Sequence, residues 1–346
     1  MPSSEQTPRL SVTVLNYNYA RYLPACLDSI LGQTYGDFEL IVIDDRSSDD
    51  SLEVMHRYAT DPRVRIVAHE QNLGFAGSLI EGTEEHSRGE FLTVISADDL
   101  VLQIDAFEQQ MAALERWPSA VLAFSSFDRF IDGTGEVYEA RRVFEHDTLI
   151  RRPEVFRRYM ADRDFWAPHS GTILRRSAYE QCGGYPRDVT VGLDFALFAA
   201  LALEGDFAYL AEPLHGYRNH EGQMSVDVAV SRRNTPEFIH VIDSLCDRAQ
   251  ARGMDVRRLR RDAIRCQLSG LALQDAFSDR RFLALVRTWD LLRRRPALAL
   301  TSKDFGVAVV RALLGQRVFD TLRGMAHRQL PVRRRSAHTA PAELRD

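Results

Sequence analysis

With 346 residues, 45% of them hydrophobic, the chain can bury one large core or two smaller ones, and its composition excludes a disordered or fibrous polypeptide. The four cysteines, Cys26, Cys182, Cys246 and Cys266, lie far apart without a CxxC pair, so they point to neither a zinc site nor a disulfide framework and fit a reducing, cytoplasmic compartment. The net charge of −5 hides an asymmetry: residues 1–230 hold 20 basic against 37 acidic side chains, whereas residues 231–346 hold 24 against 12, and the two parts are expected to do different jobs.

Residues 1–9 are polar and contain two prolines, so no secretory signal is read there. Short apolar, β-rich runs at residues 10–15, 38–43, 64–68 and 91–95 alternate with amphipathic segments, which predicts parallel strands joined by helices. In the first connection Leu23, Leu27, Ile30 and Leu31 recur at helical spacing, and Pro24 is tolerable only in a first turn. A further strand is expected at 121–124, then a turn at Asp132-Gly133-Thr134-Gly135. From Gly171 the pattern is mixed: a strand at 172–175, a helix ending at Gly183-Gly184, a helix over about 194–203 and a strand at 207–211. Beyond Thr235-Pro236-Glu237, which reads as a helix start, helices are expected at 238–252, 256–277, 282–294 and 305–322. No apolar run reaches the ~18 residues of a membrane span: 195–203 is closed by Glu204 and 305–314 is interrupted by Arg311. The expected organisation is an α/β domain over 1–230, a helical region over 231–330 and a loose basic tail over 331–346.

In an open parallel sheet ligands bind beyond the carboxyl ends of the strands. Three of the first four predicted strands end there in polar clusters: Asn16-Tyr17-Asn18, then Asp44-Asp45-Arg46-Ser47-Ser48-Asp49-Asp50, then Ser96-Ala97-Asp98-Asp99. Asp49 and Asp50 read as caps of the following helix. Either remaining acid pair, taken alone, fits a turn. Carboxylates converging on one edge repel one another unless something positive sits among them, so together they point to a divalent cation and a phosphorylated ligand.

These segments, in this order, resemble the inverting glycosyltransferases of family 2 over about residues 9–220. The matching stretches are Ser11-Val12-Thr13-Val14-Leu15-Asn16-Tyr17-Asn18, Phe38-Glu39-Leu40-Ile41-Val42-Ile43-Asp44-Asp45-Arg46-Ser47-Ser48-Asp49, with Arg46 where a glycine is common, and Asn72-Leu73-Gly74. Downstream, Gly183-Gly184-Tyr185, Leu193-Asp194-Phe195, Glu212-Pro213-Leu214 and Tyr217-Arg218-Asn219-His220 are similar to the family's acceptor half. The resemblance implies the GT-A nucleotide-diphospho-sugar transferase fold, with a mixed, mostly parallel central sheet, followed here by a C-terminal helical region. It implies a nucleotide-diphospho-sugar donor, a carbohydrate or lipid-linked acceptor in cell-surface polysaccharide or glycolipid assembly, and no nucleic-acid partner. It also implies roles: Tyr17 stacks on the donor base, Asp45 with Asp44 accepts a hydrogen bond from it, Asn72 completes the nucleotide loop and Asp98 lies near the ribose. Asp99 then binds Mn²⁺ or Mg²⁺, with His220 as a further metal ligand, Arg218 and His169 as phosphate or acceptor candidates, and Asp194 as general base. Ser96 and Leu193 depart from the family pattern, each standing where an acid is common.

Three other readings compete. A non-catalytic nucleotide-sugar or glycan-binding homologue would explain Ser96 and Leu193. A nucleotidyltransferase lacks support in a basic glycine-rich phosphate loop, and a dehydrogenase lacks a G-x-G-x-x-G after the first strand. The basic clusters Arg293-Arg294-Arg295 and Arg333-Arg334-Arg335 allow peripheral contact with an anionic membrane at its inner face.

Overall fold

A computed structural model describes residues 7–162, 164–190, 192–220 and 228–277. The elements run β1 (Leu10–Asn16), α1 (Leu23–Leu31), β2 (Phe38–Asp44), α2 (Ser51–Tyr58), β3 (Val64–Ala68) and α3 (Gly74–Glu81), which ends in a π turn at Gly82–His86. Then follow β4 (Phe91–Ser96), β5 (Leu100–Val101), α4 (Ala106–Arg116), β6 (Ala120–Ile131), β7 (Val137–Arg141), β8 (Thr148–Ile150) and α5 (Glu154–Ala161). The chain continues with β9 (Ile173–Arg175), α6 (Arg176–Cys182), α7 (Leu193–Leu201), β10 (Asp206–Asn219), α8 (Val228–Ala251) and α9 (Arg257–Phe277).

The strands form one mixed sheet in the order β3-β2-β1-β4-β9-β6-β10-β5, with β7 added beside β6 and β8 beside β10. β3, β2, β1 and β4 are parallel, as are β6 and β10, while β9 runs antiparallel between β4 and β6. β1 and β2 are buried at every position because they lie inside the sheet and are covered on their faces, and apolar side chains dominate them. Leu10, Val12, Val14, Leu40 and Val42 pack with Leu23, Leu27 and Ile30 of α1 and Phe107 of α4 in the main core. Pro24 sits in the first turn of α1, where its missing N–H has no partner to lose.

Two strands extend well past their expected ends. β6 has 12 residues and β10 has 14, and they pair in parallel through register shifts around Pro213, which marks a bulge rather than a strand end. A second difference concerns Thr235-Pro236-Glu237, which does not start a helix. α8 begins at Val228 and holds Pro236 inside its 24 residues. The helices expected at 282–294 and 305–322 lie outside the described residues.

The chain divides into two compact units. One contains the sheet up to Val155 and resumes at Ala167, and every candidate site residue belongs to it. The other takes Phe156–Trp166 and the α8–α9 pair, in which Arg260 binds Asp243 at 3.1 Å and also pairs with Asp247.

Candidate active site

The first corner of the site is set by strand register. Asn16 and Asp44 are direct partners at the carboxyl ends of β1 and β2, and the Asn16 Nδ2 donates to Asp44 Oδ1 at 2.8 Å. The Ser47 N–H reaches Asp44 Oδ2 at 2.9 Å, so this fully buried carboxylate closes its own turn. Arg46 within that turn has φ +61, a left-handed conformation that costs a side-chain-bearing residue about 1–2 kcal/mol, and its guanidinium bonds the Glu70 carbonyl. Asp45 is held differently. Its N–H donates to the Asn16 carbonyl at 2.9 Å, its carbonyl accepts from Asn72 Nδ2 at 3.0 Å, and its Oδ1 is 3.0 Å from His69 Nδ1 and 2.7 Å from the Leu73 N–H. Tyr17, one residue past β1, is half exposed beside this corner.

The second corner follows β4. Asp98 and Asp99 are both buried. Ser170 donates its hydroxyl to Asp99 Oδ2 at 2.6 Å and the Arg218 N–H reaches Asp99 Oδ1 at 3.1 Å. Asp98 Oδ2 is 2.9 Å from His220 Nε2. The Arg218 guanidinium does not reach either carboxylate by hydrogen bond: Nε donates to the Asp98 carbonyl at 2.8 Å and Nη1 to Asp132 at 3.1 Å, with Tyr22 and Phe130 rings on it, each 4.8 Å away. Burial pushes the Asp99 carboxyl well above the usual carboxylate range, the Asp98 charge adds to the push, and the Ser170 and Arg218 contacts offset it only in part.

Among the described residues no three His, Cys, Asp or Glu side chains converge as a ready-made metal site. The chemistry of the pair still suits one. Two adjacent buried carboxylates, with burial and then the Asp98 charge raising the Asp99 pKa, offer hard oxygen donors of the kind that Mn²⁺ and Mg²⁺ take, and the His220 imidazole stands on Asp98.

The third corner lies at the start of α7. The cap position there is Gly192, with φ +70, and Asp194 is the second helical residue, accepting the Phe195 N–H at 2.8 Å. Asp194 therefore is not the helix cap, although it satisfies one of the first-turn donors. His169 places Nε2 at 2.9 Å from the Tyr185 hydroxyl and packs edge-on against Tyr185 and Phe198. Burial lowers the His169 pKa while the Asp194 charge raises it, so the two groups are within electrostatic reach.

Three participants were not legible in advance. Ser170, next to His169, ties the acceptor-side segment to Asp99; its only signal was the Ser-Gly pair, and Gly171 has φ +91 with the His215 ring where a side chain would stand. Asp132, expected in a turn, anchors Arg218. His69, which holds Asp45, lay in a strand-end segment without a motif.

The model of the family described as "Glycosyl transferase family 2" matches residues 11–183, half of the chain, and includes both acid corners. The chain belongs to glycosyl transferase family 2. Among curated relatives, glycosyltransferase GlyG of Streptococcus pneumoniae is 36% identical over 105 residues, which take in 30% of this chain and 35% of GlyG. An uncharacterized glycosyltransferase of Haemophilus influenzae is 27% identical over 236 residues, 64% of this chain and 68% of that protein. The chain thus spans about a third of the length of the first relative and two thirds of the second. Among solved structures, S. aureus TarS in complex with UDP-GlcNAc superposes with a TM-score of 0.62 at 14% identity over 92% of both chains. The mannosyltransferase PcManGT of Pyrobaculum calidifontis with GDP-Man and Mn²⁺ superposes with a TM-score of 0.53 at 18% identity, over 94% of this chain and 89% of that one. The fold is the GT-A fold of the nucleotide-diphospho-sugar transferases, with its mixed, mostly parallel sheet, and α8 and α9 open the helical region after it.

Proposed function

We propose that this family 2 member transfers a sugar from a nucleotide-diphospho-sugar to an acceptor hydroxyl by a single inverting displacement. The observation that carries the reading is the segment His169-Ser170: Ser170 holds the buried Asp99, and His169, one residue earlier, feels the charge of Asp194. The segment that holds the donor-side acid thus also carries an acceptor-side candidate.

In this reading Tyr17 stacks on the donor base and Asp45 accepts an N–H from it, while Asp44 and Asn72 hold the turn and the loop that fix Asp45. Asp98 lies by the ribose, and Arg218 sets a fixed positive charge beside it for the diphosphate. Asp99, with His220 as second candidate, would hold Mn²⁺ or Mg²⁺, which would supply Lewis-acid neutralisation of the diphosphate charge. Asp194 takes the acceptor proton as that oxygen attacks the anomeric carbon and the carbon–phosphate-oxygen bond breaks. One displacement inverts the anomeric centre, so an α-linked donor yields a β-linkage. His169 borders the acceptor side.

In this reading residues 1–230 form the transferase domain, 231–330 a helical region and 331–346 a basic tail, of which 278–346 lie outside the described residues, and the acceptor belongs to cell-surface polysaccharide or glycolipid assembly. None of the described helices is long and apolar enough to cross a membrane, and the arginine clusters of the C-terminal part would hold the protein peripherally to the cytoplasmic face.

One observation favours a second reading. Asp194 Oδ1 already serves the Phe195 N–H, and Leu193 is buried where the family resemblance places an acid, as in a binding protein that has lost turnover. Incubation with a donor panel, acceptor and Mn²⁺ separates the two: release of free nucleoside diphosphate that depends on acceptor supports transfer, and binding without release supports the second reading.

A further inference from the structure

Asp45 has two oxygens, and the protein uses them unequally. Oδ1 accepts from His69 Nδ1 at 3.0 Å and from the Leu73 N–H at 2.7 Å, which fills both lone pairs of that oxygen. Oδ2 accepts no hydrogen bond from the described residues, and the two exposed apolar side chains of this corner, Tyr17 and Leu73, sit on the segments bonded to Asp45. The carboxylate therefore presents one acceptor atom to a ligand instead of two.

His69 is held from one side. In its Nδ1–H tautomer the ring donates to Asp45 Oδ1. Nε2 is buried and makes no hydrogen bond to the described residues: Glu81 Oε1 is 3.4 Å away and pairs with His86 Nε2 at 3.0 Å, and only 7% of the His69 side chain is exposed. With so little solvent around it, the ring is held at Asp45 through Nδ1 alone.

We propose that His69, by filling Oδ1 of Asp45 together with the Leu73 amide, sets the donor base to a pyrimidine-2,4-dione, uracil or thymine. The inference rests on the contact between Asp45 and the base proposed above. Uracil and thymine present one ring N–H between two carbonyls, which a single carboxylate oxygen matches. Guanine presents a ring N–H and an amino group side by side, which are matched by two oxygens of one carboxylate. With Oδ1 occupied, one guanine donor is left without a partner, and cytosine or adenine would turn a ring-nitrogen lone pair toward Oδ2. An unmet donor of this kind weakens binding by about 10- to 100-fold. His69 is a positioning residue, since it acts through Asp45.

Titration calorimetry of the full chain with UDP, dTDP, GDP and CDP in Mn²⁺ buffer tests the inference. The unaltered protein should bind UDP and dTDP about 10- to 100-fold more tightly than GDP or CDP. His69→Ala should lower UDP affinity and narrow the UDP-to-GDP ratio by about tenfold, and His69→Asn, whose amide offers a donor near the position of Nδ1, should restore it. Equal or tighter binding of GDP by the unaltered protein overturns the proposal, and that measurement needs no variant to fold. An unchanged ratio in a His69→Ala protein with a normal melting transition overturns it as well. Asp45→Ala distinguishes the deeper failure: if it leaves every nucleotide's affinity unchanged, the base contact itself is wrong, whereas a loss of UDP affinity there with no effect at His69 removes only the role of His69.

Discussion

The sheet buries acids at both of its ends and treats them in opposite ways. At the amino end of β2, Glu39 lies across from Ser11 and receives the Ser11 hydroxyl at 2.7 Å, the Arg88 N–H at 2.7 Å and Arg88 Nε at 2.9 Å. A buried carboxylate with a guanidinium and two further donors is compensated by the protein alone. At the carboxyl end, Asp99 is buried as deeply, but its donors are one hydroxyl and one N–H, and the guanidinium of Arg218 hydrogen-bonds a carbonyl and Asp132 instead. The contrast teaches that burial of an acid says little about its use, whereas incomplete compensation marks the place where a ligand is expected to supply the remaining charge.

If the carboxyl end is the working end, its variants should lose rate or binding while the amino end loses only stability. The largest effect is expected from Asp194→Asn, which should lower turnover by about 10²- to 10⁴-fold at unchanged donor affinity. The amide keeps an acceptor for the Phe195 N–H, so folding should survive; near-normal turnover at saturating donor and acceptor would return Asp194 to a purely structural role. Next, Asp99→Asn should remove the metal-dependent part of nucleoside-diphosphate binding, and Ser170→Ala, which frees Asp99 Oδ2, should weaken Mn²⁺ affinity by about 10- to 100-fold. Calorimetry with Mn²⁺ reads both, and affinities equal to those of the unaltered protein would take Asp99 out of the site.

At the other end, Arg88→Ala should destabilise the fold by about 1–2 kcal/mol, a modest figure because the arginine is 54% exposed and the other two donors to Glu39 remain. Denaturant titration measures this, and turnover per folded molecule should not change; a loss of turnover would erase the distinction between the two ends. A test confined to acid pH separates structural burial from both ends. Burial alone holds His215 down to a pKa of about 3, below the ordinary value of 6.5, and its Nε2 pairs with Gln110 Oε1 at 3.1 Å. A depressed folded pKa means the unfolded chain takes up the proton first, so the stability is present above about pH 6.5 and is lost as pH falls toward 3. His215→Asn should flatten that part of the stability profile, and an equally steep profile in the variant would assign the acid sensitivity elsewhere.

The sequence by itself determined the parallel half of the sheet and the polar clusters at its edge. Strands β1 to β4 are local apolar runs, and the residues that follow them fall at the carboxyl edge wherever such strands pack in parallel. The short strands β5, β7 and β8 and the long ends of β6 and β10 were not legible, because polar residues and Pro213 interrupt their patterns and only pairing with neighbours keeps them extended. Tertiary structure alone decided which side chains hold the acids. Ser170 is 71 residues from Asp99, His69 is 24 from Asp45 and Asp132 is 86 from Arg218, and no periodicity or spacing relates them. A hydrogen bond needs two groups within about 3 Å. That proximity is set by how the sheet and its connecting segments pack, which residue order does not record.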